Sequence, residues 1–161
     1  MRHVLTWGLL WFSALGCGLL AGLYFAFSAF VMTALGRIDQ AAGISAMNAI
    51  NVDIVRSLFM PVFFGTTLSC AALVVLGALR WQEPGAIAMI GGGVIYVVGM
   101  FVVTVVFNVP LNDQLAATAP ASAAAAPVWA LYLTDWTLWN HVRTVASIAA
   151  TALFIVAIAA R

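Results

Sequence analysis

Charged positions are so sparse along this chain that they mark out its elements. None occurs from Val4 to Gly36, from Ser57 to Leu79, from Pro84 to Asn112, or from Thr144 to Ala160. A helix crosses roughly 30 Å of hydrocarbon with about 20 residues, so each stretch predicts a crossing. The first is overlong and predicts a strong tilt or a helical extension over Phe30 to Gly36. The last is short, which moves that helix's start back to Thr134 or Asp135, either of which can cap it. The predicted spans are 4–34, 57–79, 85–109 and 135–160, within a single transmembrane domain over 1–161. The fold class is all-α, an integral membrane four-helix bundle.

The connections are unequal. Arg80 to Gly85 is a tight turn holding Trp81 and Pro84. On the opposite side, Arg37 to Arg56 has Ile38, Ala42, Met47, Ile50 and Ile54 compatible with one apolar face, which predicts an interfacial helix between the first two spans. The alanine-rich stretch from Ala116 to Pro127 predicts a mobile loop. Pro110 predicts a break at the end of the third helix. Gly18 and Gly22 form a small-xxx-small pair suited to close helix approach.

Composition narrows the class. Of 161 residues 65% are hydrophobic and 7% charged, with no lysine and a net charge of +1. A soluble domain carries about 25% charged residues, and a nucleic-acid binder needs a clustered basic face, so neither fits. The first apolar stretch is far longer than a signal-peptide core of about 7 to 15 residues. With four crossings, Arg2, Arg80 and Arg161 fall on one side and Arg37, Arg56 and Arg143 on the other, the latter offset by four aspartates. That balance leans towards an inner-membrane protein with both termini cytoplasmic.

Polar residues gather on the side of the two long connections, including Asn48, Asn51, Asn108, Asn112, Asn140, His141 and Arg143. On the last helix Trp136, Asn140, Arg143, Thr144, Ser147 and Thr151 share a stripe, with His141 at its margin. Lipid cannot satisfy such a stripe, so it must face the bundle or a cavity. The end of the third helix, with Asn108 and Asn112, is expected to meet it there. Trp129, Tyr132, Trp136 and Trp139 have the composition of an interfacial aromatic belt.

The inventory suggests neither a metal nor a cofactor. The two histidines, His3 and His141, fall on opposite sides of a four-crossing chain, and Gly91 to Gly93 lack the preceding strand of a dinucleotide site. Cys17 and Cys70 lie within spans, where a free thiol acts as a small hydrophobe. An enzyme built from these parts would use one histidine, one arginine and several amides on a substrate able to do the redox work itself.

Four segments carry a resemblance: GLYFAFSAFVMTAL at 22–35, AMNAINVDIV at 46–55, FNVPLNDQLA at 107–116 and YLTDWTLWNHVRT at 132–144. The chain resembles, over nearly its whole length, a bacterial family of small four-span membrane proteins grouped with the fungal anthrone oxygenases. NVPLN at 108–112 and WNHVR at 139–143 are the most specific pieces, and Thr33 departs from the family's proline. The resemblance implies a cofactor-independent oxygenase converting an anthrone-type substrate to a quinone. It implies His141 as general base, Arg143 as stabiliser of the enolate oxygen, and Asn108, Asn112 and Asn140 as substrate-orienting amides, with Trp136 or Trp139 stacked on the rings. The expected partners are the lipid bilayer, a hydrophobic aromatic small molecule and O2, and no nucleic acid. Two rival classes remain: a non-enzymatic membrane or assembly partner, sensitive at Gly18 and Gly22 and indifferent to His141, and a small-molecule carrier, which would show saturable flux in vesicles.

Overall fold

A computed structural model describes residues 2–161, with side chains from Leu5 onward, so the side chains of Arg2 and His3 lie outside the described residues. Five helices form over this range: α1 (Leu5–Leu35), α2 (Gln40–Arg56), α3 (Phe59–Leu79), α4 (Ala86–Ala116) and α5 (Ala125–Ala159). All but α2 are long and apolar enough to cross a membrane, and no strand occurs among the described residues. The chain is an all-α membrane protein.

The four long helices pack in the cyclic order α1, α3, α4, α5, each antiparallel to its neighbours. Small residues let them approach. A Cβ on Gly16 would collide with the side chain of Thr66 on α3, and one on Gly93 would lie 2.6 Å from the carbonyl of Cys70. Close approach therefore uses Gly16 and Gly93. Gly18 and Gly22, expected in that role, border an open apolar groove between α1 and α5, and a Cβ on Gly22 would meet nothing within 4 Å. Without a hydrophobic drive between lipid-embedded helices, such backbone contact is what holds them. The turn between α3 and α4 needs glycine, because Gly85 has a φ of 79° and a Cβ there would lie 2.8 Å from the Ala157 carbonyl.

The long helices outrun the membrane. At 1.5 Å per residue α3 is about 32 Å long, whereas α1, α4 and α5 reach roughly 46 to 52 Å. They project beyond the start of α3, and α2 occupies the place α3 leaves empty. Asp39 starts α2, accepting a hydrogen bond from Ala42 N–H at 3.0 Å, and Gly43, Ile44 and Met47 form its buried face. The predicted interfacial helix is thus present, but its buried face differs from the expected one, with Ile38 and Ala42 outside it. Met32, Ile44, Met47, Leu115, Ala125, Trp129, Tyr132 and Trp136 make a second core in this projecting part.

Two boundaries differ from expectation. Helix α4 continues past Pro110 to Ala116, because the preceding turn, Thr104–Asn108, is π-helical and Val109 N–H reaches back five residues to Thr104 O. A ladder already shifted in register absorbs a residue that has no N–H. Helix α5 starts at Ala125, not near Asp135, so the end of the alanine-rich stretch is helical. Ala125 and Trp129 are buried in the second core, and that packing holds the extra turns.

Candidate functional site

Where α2 meets the bundle, the five helices enclose a cavity of about 270 Å³. Four π-helical segments surround it, at Phe27–Val31, Val97–Val102, Thr104–Asn108 and Tyr132–Trp136. They supply Phe27, Phe101, Thr104, Val105 and Trp136 to the wall. A π-turn widens a helix and redirects its side chains, and such turns collect at functional sites. The volume is just below the range of about 300–1,000 Å³ usual for small-molecule sites, which suits a compact planar ligand. Most of the lining is apolar. Arg143 is its one charged residue, beside the polar Tyr24, Asn51, Thr104 and Asn112.

Arg143 is 5% exposed, and among the described residues no carboxylate lies within ion-pair distance of it. Its Nη2 donates to Asn140 Oδ1 at 2.7 Å, and its guanidinium sits 4.5 Å from the Tyr24 ring centroid and 5.0 Å from that of Trp136. Asn140 is fixed in turn. Its Nδ2 donates to the Tyr24 carbonyl at 2.7 Å and to Ser28 Oγ at 2.8 Å, tying α5 to the end of α1 beside the π-turn. Burying an unpaired cation costs several kcal/mol. The two ring faces and the Asn140 hydrogen bond each return on the order of 2 kcal/mol, which offsets much of that cost. None of them neutralises the charge, which stays available to an anion or partial negative charge in the cavity. Arg143 Nε and Trp136 Nε1 are buried without a hydrogen-bond partner, on residues that line the space.

A second set of polar groups lies nearer the α2 side. Asn51 Nδ2 donates to the Tyr132 hydroxyl at 3.4 Å, and that hydroxyl donates to Asn112 Oδ1 at 2.7 Å. Trp129, Tyr132 and Trp136 stack in a column with centroids 5.8 and 5.5 Å apart.

A family model described as anthrone oxygenase matches residues 58–153, more than half of the chain. The chain belongs to the anthrone oxygenase family. Neither a curated protein nor a solved structure matches it. The matched segment runs from just before α3 into α5, so it contains the α3, α4 and α5 walls of the cavity. In this anthrone oxygenase-family protein the remaining walls, from α1 and α2, lie outside the matched range.

The structure brings together some of the expected residues and separates others. Arg143, Trp136 and Asn112 line the cavity. Asn140 is buried behind it as the support of Arg143. Asn108 is also buried behind the wall, its Nδ2 donating to Trp136 O at 3.2 Å. His141 is corrected in position: it is exposed and does not line the cavity, so it shares no pocket with Arg143. Two residues apart on a helix is a rotation of about 200°, which puts the two side chains on opposite faces. Trp139 likewise points away, stacked on Phe107 with centroids 3.7 Å apart. The expected aromatic belt is mostly core, since Trp129, Tyr132 and Trp136 are buried. Sequence reasoning gave no cavity role to Tyr24, Asn51, Met47, Phe63 or Phe101. Tyr24 and Asn51 stand within two of the four resembling segments, and Asn51 also belongs to the polar cluster on the side of the two long connections.

Among the described residues no three His, Cys, Asp or Glu side chains converge as a metal site would require. Cys17 and Cys70 are free thiols facing each other across α1 and α3, with their sulfurs 3.7 Å apart.

Proposed function

We propose that this protein is a cofactor-independent oxygenase that binds a flat, lipophilic anthrone- or quinol-type molecule in the cavity, with the substrate's oxygen against Arg143. What supports this reading is one observation above the others: a buried guanidinium without a carboxylate partner at the floor of an apolar cavity, in a chain of the anthrone oxygenase family. An anthrone is a weak carbon acid because its anion spreads over three rings. The guanidinium, acting in a largely apolar site, lowers the energy of that anion as it forms. The proton passes to water. The electron-rich carbanion then reduces O2 by one electron, the two radicals combine to a carbon-bound peroxide anion that takes a proton back from water, and loss of water from that hydroperoxide leaves the quinone. Overall, one anthrone and one O2 give one anthraquinone and one water.

In this scheme Arg143 and Trp136 Nε1 meet the oxyanion, and the Asn51 and Asn112 amides orient ring substituents. Phe63 and Phe101 supply apolar surface to the rings. Asn140 is a positioning residue. His141 has no place in the chemistry.

Oxygen uptake by the purified protein in lipid nanodiscs, with an anthrone and with simple quinols, tests the proposal. Wild-type protein is expected to consume O2 above the buffer rate. Arg143→Met is expected to lose about 100-fold or more, the usual effect of deleting an oxyanion donor. Arg143→Lys should keep part of the rate, and His141→Ala should match wild type. Wild-type uptake equal to buffer with every substrate, or equal rates in Arg143→Met and wild type, would overturn it.

A further inference from the structure

We infer that ligands enter this cavity sideways from the bilayer, through the notch framed by the end of α2 and the facing sides of α3 and α4. The site would then take uncharged, membrane-dissolved aromatics and ionise them inside. This rests on the cavity being the ligand site, though not on any reaction with oxygen.

Exposure along the wall locates the opening. The floor residues Tyr24, Met47, Trp136 and Arg143 are all at most 5% exposed. The lip residues are open and apolar: Val55 at the end of α2, Phe64 on α3, and Val105 and Val109 on α4, each between 40% and 56% exposed. No charged side chain lines this mouth. A water-facing entrance for an anionic ligand would be expected to carry basic groups that steer it. Here the only cation is at the far end.

The depth of the notch agrees. Phe64 is five residues into α3, about 7.5 Å along a helix just long enough to cross the hydrocarbon. The lips therefore lie where acyl chains begin. Towards water, Ile50 and Ile54 of α2 form a roof over the cavity. That roof is seated tightly, for a Cβ on Gly43 would lie 2.9 Å from Leu35 O and 3.0 Å from the Trp129 ring. The rings of Phe64 and Phe101 meet edge-on inside the notch, with centroids 6.3 Å apart.

Photolabelling of the wild-type protein in vesicles tests this without any turnover. Two probes are compared, a lipid-soluble aryl diazirine and its sulfonated, water-soluble counterpart, with adduct positions read by peptide mass spectrometry. The lipid-soluble probe is expected to modify the floor residues Met47, Tyr24 or Trp136 at least about tenfold more than the sulfonated probe, as well as lipid-facing Leu68. Phe64→Trp combined with Val105→Trp should lower floor adducts severalfold and leave Leu68 adducts unchanged. Labelling of the floor by both probes alike would overturn the inference. So would a lipid-soluble probe that reaches Leu68 and never the floor, or floor labelling indifferent to the blocked notch in protein whose Leu68 labelling is intact. Failure of the oxygenase reading would appear as absent O2 uptake with this labelling pattern preserved.

Discussion

Arg143 is held by a short hierarchy of contacts. The guanidinium rests on Tyr24 and Trp136, its Nη2 is anchored by Asn140, and Asn140 is anchored by the Tyr24 carbonyl and Ser28. Removing the Asn140 amide leaves Arg143 and a buried carbonyl short of partners at once. Asn140→Ala is expected to destabilise the protein by about 1–3 kcal/mol, seen as a lower thermal midpoint in detergent, and to reduce O2 uptake more than tenfold even where the protein remains folded. At this scale the sequence was informative about Arg143. An unpaired cation near a span must turn inward or snorkel, and its stripe pointed inward. Angular spacing set His141 only at the margin of that stripe, and the structure turns it outward. The amides of Asn108 and Asn140 were legible as buried polar groups. Whether each touched the cavity or stood behind its wall was not, because that depends on a few ångströms of helix rotation.

The elements divide in the same way. Four crossings followed from charge spacing alone, and α2 from its apolar positions. The π-turns around the cavity had no sequence signature. They change the helical register by one residue where α1, α4 and α5 meet, and tertiary packing decides where that happens. The start of α5 was missed for a related reason: alanines without an apolar pattern read as loop until Ala125 and Trp129 find the second core. Gly43 carries the most testable claim at this scale. Gly43→Val would drive its side chain into Leu35 O and Trp129, forcing α2 away from the bundle. Amide exchange across residues 40–56 should then quicken by about tenfold or more, while the transmembrane segments of α3 and α4 stay as protected as in wild type. Unchanged protection of α2 would show that it is not seated through this contact.

For the whole molecule, length and hydrophobicity determine where chemistry can occur. Helix α3 alone matches the membrane thickness, its longer neighbours extend beyond it, and α2 fills the resulting gap. The cavity lies at this junction, with exposed apolar lips and a cationic floor inside. Membrane residence and the side carrying the polar groups were legible in the sequence. A cavity at the junction of α2 and α3 was not, because it arises from the mismatch between four helix lengths and the packing of a fifth. The most direct test of the central claim, that Arg143 receives a negative charge on a bound aromatic, is an absorption titration with a hydroxyanthraquinone, whose spectrum moves to the red when its phenol ionises. Wild-type protein and His141→Ala are expected to bind the dye in its ionised form at a pH where the free dye is neutral, and Arg143→Met to leave any bound dye neutral. The same red-shifted spectrum and affinity in Arg143→Met as in wild type would contradict the account.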